Sequence, residues 1–219
     1  MEKVVLSLSG GLDSTSLLAE ILSQGYEVIP VIFTYGSKHN RYENLAANKV
    51  CEFYKLQPVC IDLSAAMAGF KSNLLKSGGD IPEGHYNDAS MSKTVVPGRN
   101  LIFISILAGL AESIGAVAIA LAVHAGDHHI YPDCRPEFIE AARRVLHFST
   151  EGKVELFAPF LHIDKKEVLS YGLSHLAPLE MTRTCYKDQP TACGKCGSCT
   201  ERLEAFKLCG KEDPIIYET

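Results

Sequence analysis

Residues 4–14 constrain the fold more than any other stretch. Val4-Val5-Leu6-Ser7-Leu8 is an apolar run of strand length, and it passes straight into Ser9-Gly10-Gly11-Leu12-Asp13-Ser14. Over residues 15–24, Leu17, Leu18, Ile21 and Leu22 recur at helical spacing, and Gly25 supplies a stop. A buried strand, a glycine turn and an amphipathic helix form the first half of a β-α-β unit. Such a unit needs a second strand parallel to the first.

The rest of the chain continues the alternation. Residues 28–35 read as a second strand, with Pro30 suited to its beginning or to an edge. Residues 41–55 read as a helix and 59–63 as a third strand. Residues 71–97 carry Gly78-Gly79, Pro82, Gly84 and Pro97 and are expected to be irregular; a loop that long is usually functional or mobile. Residues 101–114 form an apolar helix, and 117–123 are apolar throughout, as a central parallel strand is. A helix opens at Pro136, a last strand covers 154–158, and Asp164 with Glu167 resembles a capping box opening a further helix. The expected fold class is α/β, a doubly wound parallel sheet over residues 1–180 with a small C-terminal metal-binding lobe over 181–219. Ligands of such sheets bind at the carboxyl ends of the strands, where the glycine turn, Tyr35-Gly36 and the loop over 124–135 all fall.

Bulk properties narrow the partners. The 219 residues carry a net charge of −5, with no basic stripe of the kind nucleic-acid binders show, so a small substrate is expected and direct nucleic-acid binding is not. No apolar run reaches the ~18 residues of a membrane span. The sequence from Met1 runs directly into the glycine loop without a signal-peptide layout, so the expected compartment is the cytoplasm. Eight cysteines there argue against a disulfide framework.

In the turn, glycines let backbone N–H groups approach phosphate oxygens, and the following helix N-terminus adds donors and positive potential. Gly-Lys-Ser/Thr and Gly-x-Gly-x-x-Gly are both absent, which sets aside the Walker loop and the dinucleotide fingerprint. The string Ser-Gly-Gly-x-Asp-Ser after a first strand instead resembles the PP-loop signature of ATP pyrophosphatases. That resemblance implies cleavage of ATP between its α and β phosphates, with Asp13 helping to position Mg²⁺. The expected nucleotide-binding set is Leu8, Ser9, Gly10, Gly11, Leu12, Asp13, Ser14, Thr15, Ser16, Leu17 and Leu18, with Tyr35 after the second strand. Asp13, Ser14 and Arg99 are the expected catalytic residues.

Cys185, Cys193, Cys196 and Cys199 place four soft ligands in one short segment, with Gly194 and Gly197 following two of them. Four thiolates suit tetrahedral Zn²⁺ in a closed, structural site. An iron–sulfur cluster and a redox dithiol are the rival readings of the same spacing.

Two loops complete the crevice. His124-Ala125-Gly126-Asp127-His128-His129 suits hydrogen-bonding groups better than a second metal. Tyr131-Pro132-Asp133-Cys134-Arg135-Pro136 combines a ring face, a carboxylate and a guanidinium, and equally suits a capped helix entrance. Arg99 can neutralise charge that builds on phosphate, while Asn100 suits a helix cap.

In order along the chain stand Ser9 to Ser14, Tyr35-Gly36-x-x-His39, Val96-Pro97-Gly98-Arg99-Asn100, Tyr131 to Phe138, and Thr184-Cys185-Tyr186 with the cysteine knuckles. Together they closely resemble the QueC family of 7-cyano-7-deazaguanine synthases over nearly the whole chain. The resemblance implies that 7-carboxy-7-deazaguanine, ammonia and ATP are consumed. The carboxylate would be adenylated and aminated to an amide, which a second activation would dehydrate to the nitrile. It also implies one tetracysteine zinc and a homodimer. The substrate-binding residues would be Lys38, His39, Asp127, Tyr131, Asp133 and Arg135: acceptors from Asp127 and Asp133 for the donor edge of the ring, a face from Tyr131, and Arg135 for the acid. Lys38 stands where many members carry arginine; it keeps the charge but lacks the planar fork. Leu12 stands where many carry glutamine. The same residues would also serve a relative that joins the activated acid to a protein N-terminus. A tRNA-modifying PP-loop enzyme would add a basic surface or an RNA-binding domain, neither of which is apparent. A nucleotide-binding module without catalysis would not need Tyr131, Asp133 and Arg135 beside the loop.

Overall fold

The computed structural model describes residues 1–218. Five strands, β1 (Lys3–Ser7), β2 (Glu27–Thr34), β3 (Val59–Asp62), β4 (Ala118–Ala120) and β5 (Glu155–Phe157), form one sheet in the order β3-β2-β1-β4-β5. All four pairings are parallel. The helices are α1 (Leu12–Ser23), α2 (Asn40–Phe53), α3 (Arg99–Ser113), α4 (Pro136–Ser149), α5 (Lys165–Ser174) and α6 (Gly197–Leu208). The chain winds outward from β1 to β3, then returns to add β4 and β5 on the other side. That reversal opens a crevice at the carboxyl ends of β1 and β4.

Two cores flank the sheet. Val5, Val31 and Ile119 turn to one face and pack with Phe103 and Leu107 of α3 and Ile139 and Leu146 of α4. Val4, Leu6, Ile32 and Ala120 turn to the other, against Leu17 and Leu18 of α1, Val50 of α2 and Leu169 of α5. The alternation Val4, Val5, Leu6 is the two-residue period of a strand buried on both faces. Ala205 and Phe206 of α6 join the second core, while the four cysteines form a small cluster of their own.

Several local expectations are met. Pro136 is the first residue of α4. Asp164 closes a full capping box on α5: Glu167 N–H donates to Asp164 Oδ1 and Asp164 N–H donates to Glu167 Oε2, each at 2.8 Å. Residues 71–97 hold only one short 3-10 turn, Ala89–Thr94.

Three details differ. Helix α1 begins at Leu12 rather than Thr15, so Asp13 and Ser14 belong to its first turn. Pro30 lies inside β2, between two neighbours; the β3 ladder starts only at Val31, so the missing N–H leaves no gap in it. Helix α6 begins inside the cysteine segment, with Cys196 as its N-cap and Cys199 in its first turn, where the sequence pattern predicts no helix. Among the described residues, no helix is long and apolar enough to cross a membrane.

Candidate active site

The glycine turn is held open by its own side chains. Ser9 N–H donates to Ser14 Oγ at 3.2 Å, the two hydroxyls lie 3.0 Å apart, and Gly11 N–H donates to Ser9 Oγ at 3.2 Å. Gly10 has a φ of +76°, and a Cβ there would lie 2.3 Å from the Ala47 nitrogen of α2. Only glycine lets the loop pass that close. No side chain caps α1 at Gly11, so the first N–H groups of the helix stay available to an anion.

Below this loop a cavity opens between the carboxyl ends of the strands. Leu8, Ser9, Gly11, Asp13, Ser14 and Tyr35 line it, as do Arg99, His39, Asp127 and Tyr131. Other expected nucleotide residues do not reach it. Leu12, Leu17 and Leu18 are buried in the core beneath α1, and Thr15 and Ser16 are buried with unpartnered hydroxyls. Gly10 is turned against α2.

The charge arrangement centres on Asp13 and Lys165, the first residue of α5. Lys165 Nζ donates to Asp13 Oδ2 at 2.7 Å and lies 3.2 Å from Glu201 Oε2 of α6. His124 Nε2 stands 3.8 Å from Asp13 and 3.7 Å from Asp127. Burial opposes ionisation of Asp13, but Lys165 and then His124 outweigh it, so the carboxyl sits below its ordinary range. Burial likewise opposes the Lys165 charge, and Asp13, Glu201 and Asp127 together hold it above the usual lysine value. Glu201 is pushed upward by burial, countered in part by Lys165. The result is a fixed ammonium beside the phosphate loop.

Across the cavity, Arg99 Nη1 approaches Tyr35 Oη at 3.4 Å, with its guanidinium carbon 5.9 Å from the ring centre. Tyr131 Oη lies 2.9 Å from Thr94 Oγ1 and 3.3 Å from Tyr186 Oη, and Tyr86 Oη donates to Asp127 Oδ1 at 2.8 Å. This wall is a cluster of tyrosine rings with its hydroxyls already paired, suited to a flat ring of mixed polarity.

Three residues expected to bind substrate stand elsewhere. Asp133 Oδ2 accepts from Asn100 N–H at 2.9 Å, and Asn100 Nδ2 donates to the Asp133 carbonyl at 3.0 Å. Asp133 therefore caps α3 from outside the cavity, which is the helix-entrance alternative for this loop. Arg135 is exposed, and its Nε donates to the His128 carbonyl at 2.9 Å. Lys38 donates to the carbonyls of Gly78 and Gly79. Lys165, Glu201, Glu43, Arg183 and Tyr86 line the cavity without having been singled out in the sequence. For Lys165 there was a signal: a lysine directly after a helix N-cap opposes the helix dipole, and such a position usually has a reason.

The four cysteine sulfurs lie within 4.8 Å of one another and are all buried. Lys187 N–H and Cys193 N–H each donate to Cys185 Sγ at 3.4 Å, and Lys195 and Cys196 N–H donate to Cys193 Sγ at 3.4 and 3.3 Å. A tetrahedral ion with bonds of ~2.3 Å sets sulfurs about 3.8 Å apart, so the group fits one ion with little movement. Among the described residues this is the one group of three or more His, Cys, Asp or Glu side chains whose ligand atoms converge.

Comparison with known proteins decides the family. The profile described as "Queuosine biosynthesis protein QueC" matches residues 3–210. The chain belongs to the QueC family. Among relatives of QueC type, the 7-cyano-7-deazaguanine synthase of Caldicellulosiruptor saccharolyticus is 44% identical, covering 99% of this chain and 96% of the relative. That of Methanoregula boonei is 43% identical, covering 99% of each. The fold is shared more widely. An NMN synthetase from Francisella tularensis superposes with a TM-score of 0.51 at 14% identity, over 96% of this chain and 78% of that one.

Proposed function

We propose that this QueC-family chain converts 7-carboxy-7-deazaguanine and ammonia to 7-cyano-7-deazaguanine, using ATP to activate oxygen twice. The observation that carries this reading is the uncapped phosphate loop opening onto the same cavity as the tyrosine wall. The names of the relatives, 7-cyano-7-deazaguanine synthase, support the substrate class.

Triphosphate would lie along Ser9, Gly11 and Ser14, with its departing pyrophosphate on the free N–H groups of α1. Asp13 would hold Mg²⁺, which would neutralise phosphate charge. The substrate carboxylate attacks the α-phosphorus and pyrophosphate leaves. Arg99 and Lys165 are fixed cations for the charge that develops, and they need no reorganisation during the step. Ammonia then attacks the acyl adenylate and AMP departs, leaving an amide. Activation of the amide oxygen and loss of AMP give the nitrile. Asp127 supplies an acceptor for the ring edge, and Tyr131 a face. Lys38, Asp133 and Arg135 are left without direct contact; Asp133 acts by seating Arg99 at the start of α3.

Cys185, Cys193, Cys196 and Cys199 would hold one zinc ion, which would cross-link the C-terminal lobe and take no part in the chemistry. The chain would act as a cytoplasmic homodimer. Leu101, Val145 and Phe148 leave an exposed apolar face on α3 and α4 that a second copy can cover.

The deciding experiment follows ATP products in the presence of the deazaguanine acid. AMP and pyrophosphate are expected, and Asp13→Ala should abolish them. ADP and phosphate would overturn the adenylation reading.

A further inference from the structure

Amination of an acyl adenylate creates a proton problem. Ammonia adds to the carbonyl carbon as –NH₃⁺, and the adduct collapses forward only after a proton leaves nitrogen. A base must therefore face the cavity with an open lone pair.

Most acidic and basic groups in the cavity wall are already committed. Asp13 Oδ2 and Glu201 pair with Lys165, and Asp127 accepts from Tyr86. His124 accepts at Nδ1 from Gly126 N–H at 3.1 Å. Asp13 Oδ1 is unpartnered but belongs to the proposed magnesium site.

His39 differs from all of these. It lines the cavity, its side chain is 2% exposed, and its Nδ1 is buried with no partner. Its Nε2 lies 3.1 Å from Glu43 Oε2. In a neutral imidazole, donation from Nε2 to that carboxylate leaves the lone pair on Nδ1. A buried acceptor left without a donor is costly, and such sites persist where a ligand completes them.

The pair is also tied to the phosphate loop. His39 precedes α2, and its carbonyl accepts from the N–H groups of Tyr42 and Glu43 at 3.0 Å each. The Glu43 carbonyl packs on Gly10, 2.8 Å from where a Cβ would stand. The Tyr186 ring, which also lines the cavity, lies 5.4 Å from the imidazole, centre to centre.

We propose that His39 is the catalytic base of the amination step and that Glu43 is its positioning residue. The inference rests on the adenylating reading given above. Nδ1 takes one proton from the –NH₃⁺ of the tetrahedral adduct. The carbon–oxygen bond to AMP then breaks, and its electron pair leaves on the phosphate oxygen. The products are amide, AMP and imidazolium; Glu43 stabilises the imidazolium until it returns the proton to water. On the second activation the amide oxygen attacks the α-phosphorus, pyrophosphate leaves and one N–H proton passes to solvent. Nδ1, deprotonated again, then removes the remaining N–H proton as the carbon–oxygen bond to AMP breaks and the nitrile forms.

The test separates the two halves of the reaction. Exchange of labelled pyrophosphate into ATP, dependent on the deazaguanine acid, reports adenylation alone. AMP formation dependent on ammonium reports amination. Wild-type protein should show both. His39→Asn should keep exchange within about threefold at saturating acid while losing ammonium-dependent turnover by ~10²-fold or more. Glu43→Gln, which keeps an acceptor for Nε2–H but not its charge, should show the same split more weakly. Hydroxylamine, whose adduct sheds its proton readily to water, should restore acyl transfer as hydroxamate in His39→Asn. Normal amination by His39→Asn would overturn the proposal. So would equal loss of exchange and amination in both folded variants, which would make the pair a binding or structural feature. Absence of exchange in the wild type would overturn the adenylating reading itself.

Discussion

Asp13 shows how one side chain takes its properties from neighbours distant in sequence. Burial alone would push its carboxyl upward, and Lys165, contributed by another helix, reverses that. Lys165→Met should therefore let Asp13 rise above its ordinary value. An activity that needs ionised Asp13 is lost as pH falls through that pKa, so raising the pKa moves the loss to higher pH. The acid limb of acid-dependent pyrophosphate exchange should shift upward in Lys165→Met, and an unmoved limb would mean that Asp13 is not the titrating group. Asp133 teaches the opposite lesson. A carboxylate in a Tyr-Pro-Asp-Cys-Arg string invites a ligand role, but here the nearest unmet donor is the Asn100 N–H at the start of α3. Local sequence names the side chain, and the competition among buried donors decides where it points.

Among the elements, those written in contiguous residues were the most legible. The strand, glycine turn and helix over residues 3–23 and the capping box of α5 each rest on neighbours a few positions apart. Gly10→Ala should be severe, because the residue is left-handed and a Cβ meets backbone of α2. A cost of at least ~1 kcal/mol is expected from the conformation alone. Thermal unfolding and ATP binding should both register it. Helix α6 was not legible. Its first turn is spent on a glycine, a serine and Cys199, and Arg202 stands fully buried where a helical pattern asks for an apolar residue. That arginine is held by a bidentate pair with Asp213 and by donation to Thr182, Thr184 and the Leu179 carbonyl. Its anchors lie in segments on either side of the helix. The cysteine cluster that spans its start should carry one zinc per chain by elemental analysis. Chelation should lower the melting temperature and loosen 185–209 in hydrogen exchange; an iron–sulfur absorption band would exclude zinc.

Across the whole molecule, the parallel, doubly wound sheet followed from the alternation of elements and the preference of parallel sheets for burial, whereas the order β3-β2-β1-β4-β5 is visible only in the fold. The contents of the cavity did not follow so readily. Tyr86, Lys165 and Glu201 meet there only because the 71–97 segment, α5 and α6 converge on the crevice at the ends of β1 and β4, and no local period encodes such a meeting.

The Asp13, Lys165 and Glu201 triad also fixes when the site comes into being. The phosphate loop leaves the ribosome first, its cation is encoded 152 positions later, and the carboxylate that braces this cation comes later still. A chain in synthesis thus carries the loop for at least 152 residues of elongation before the group that makes Asp13 acidic is added. Stalled nascent chains of increasing length should release pyrophosphate only once residue 201 is free to fold. Topology of this kind, rich in contacts between distant residues, also slows folding.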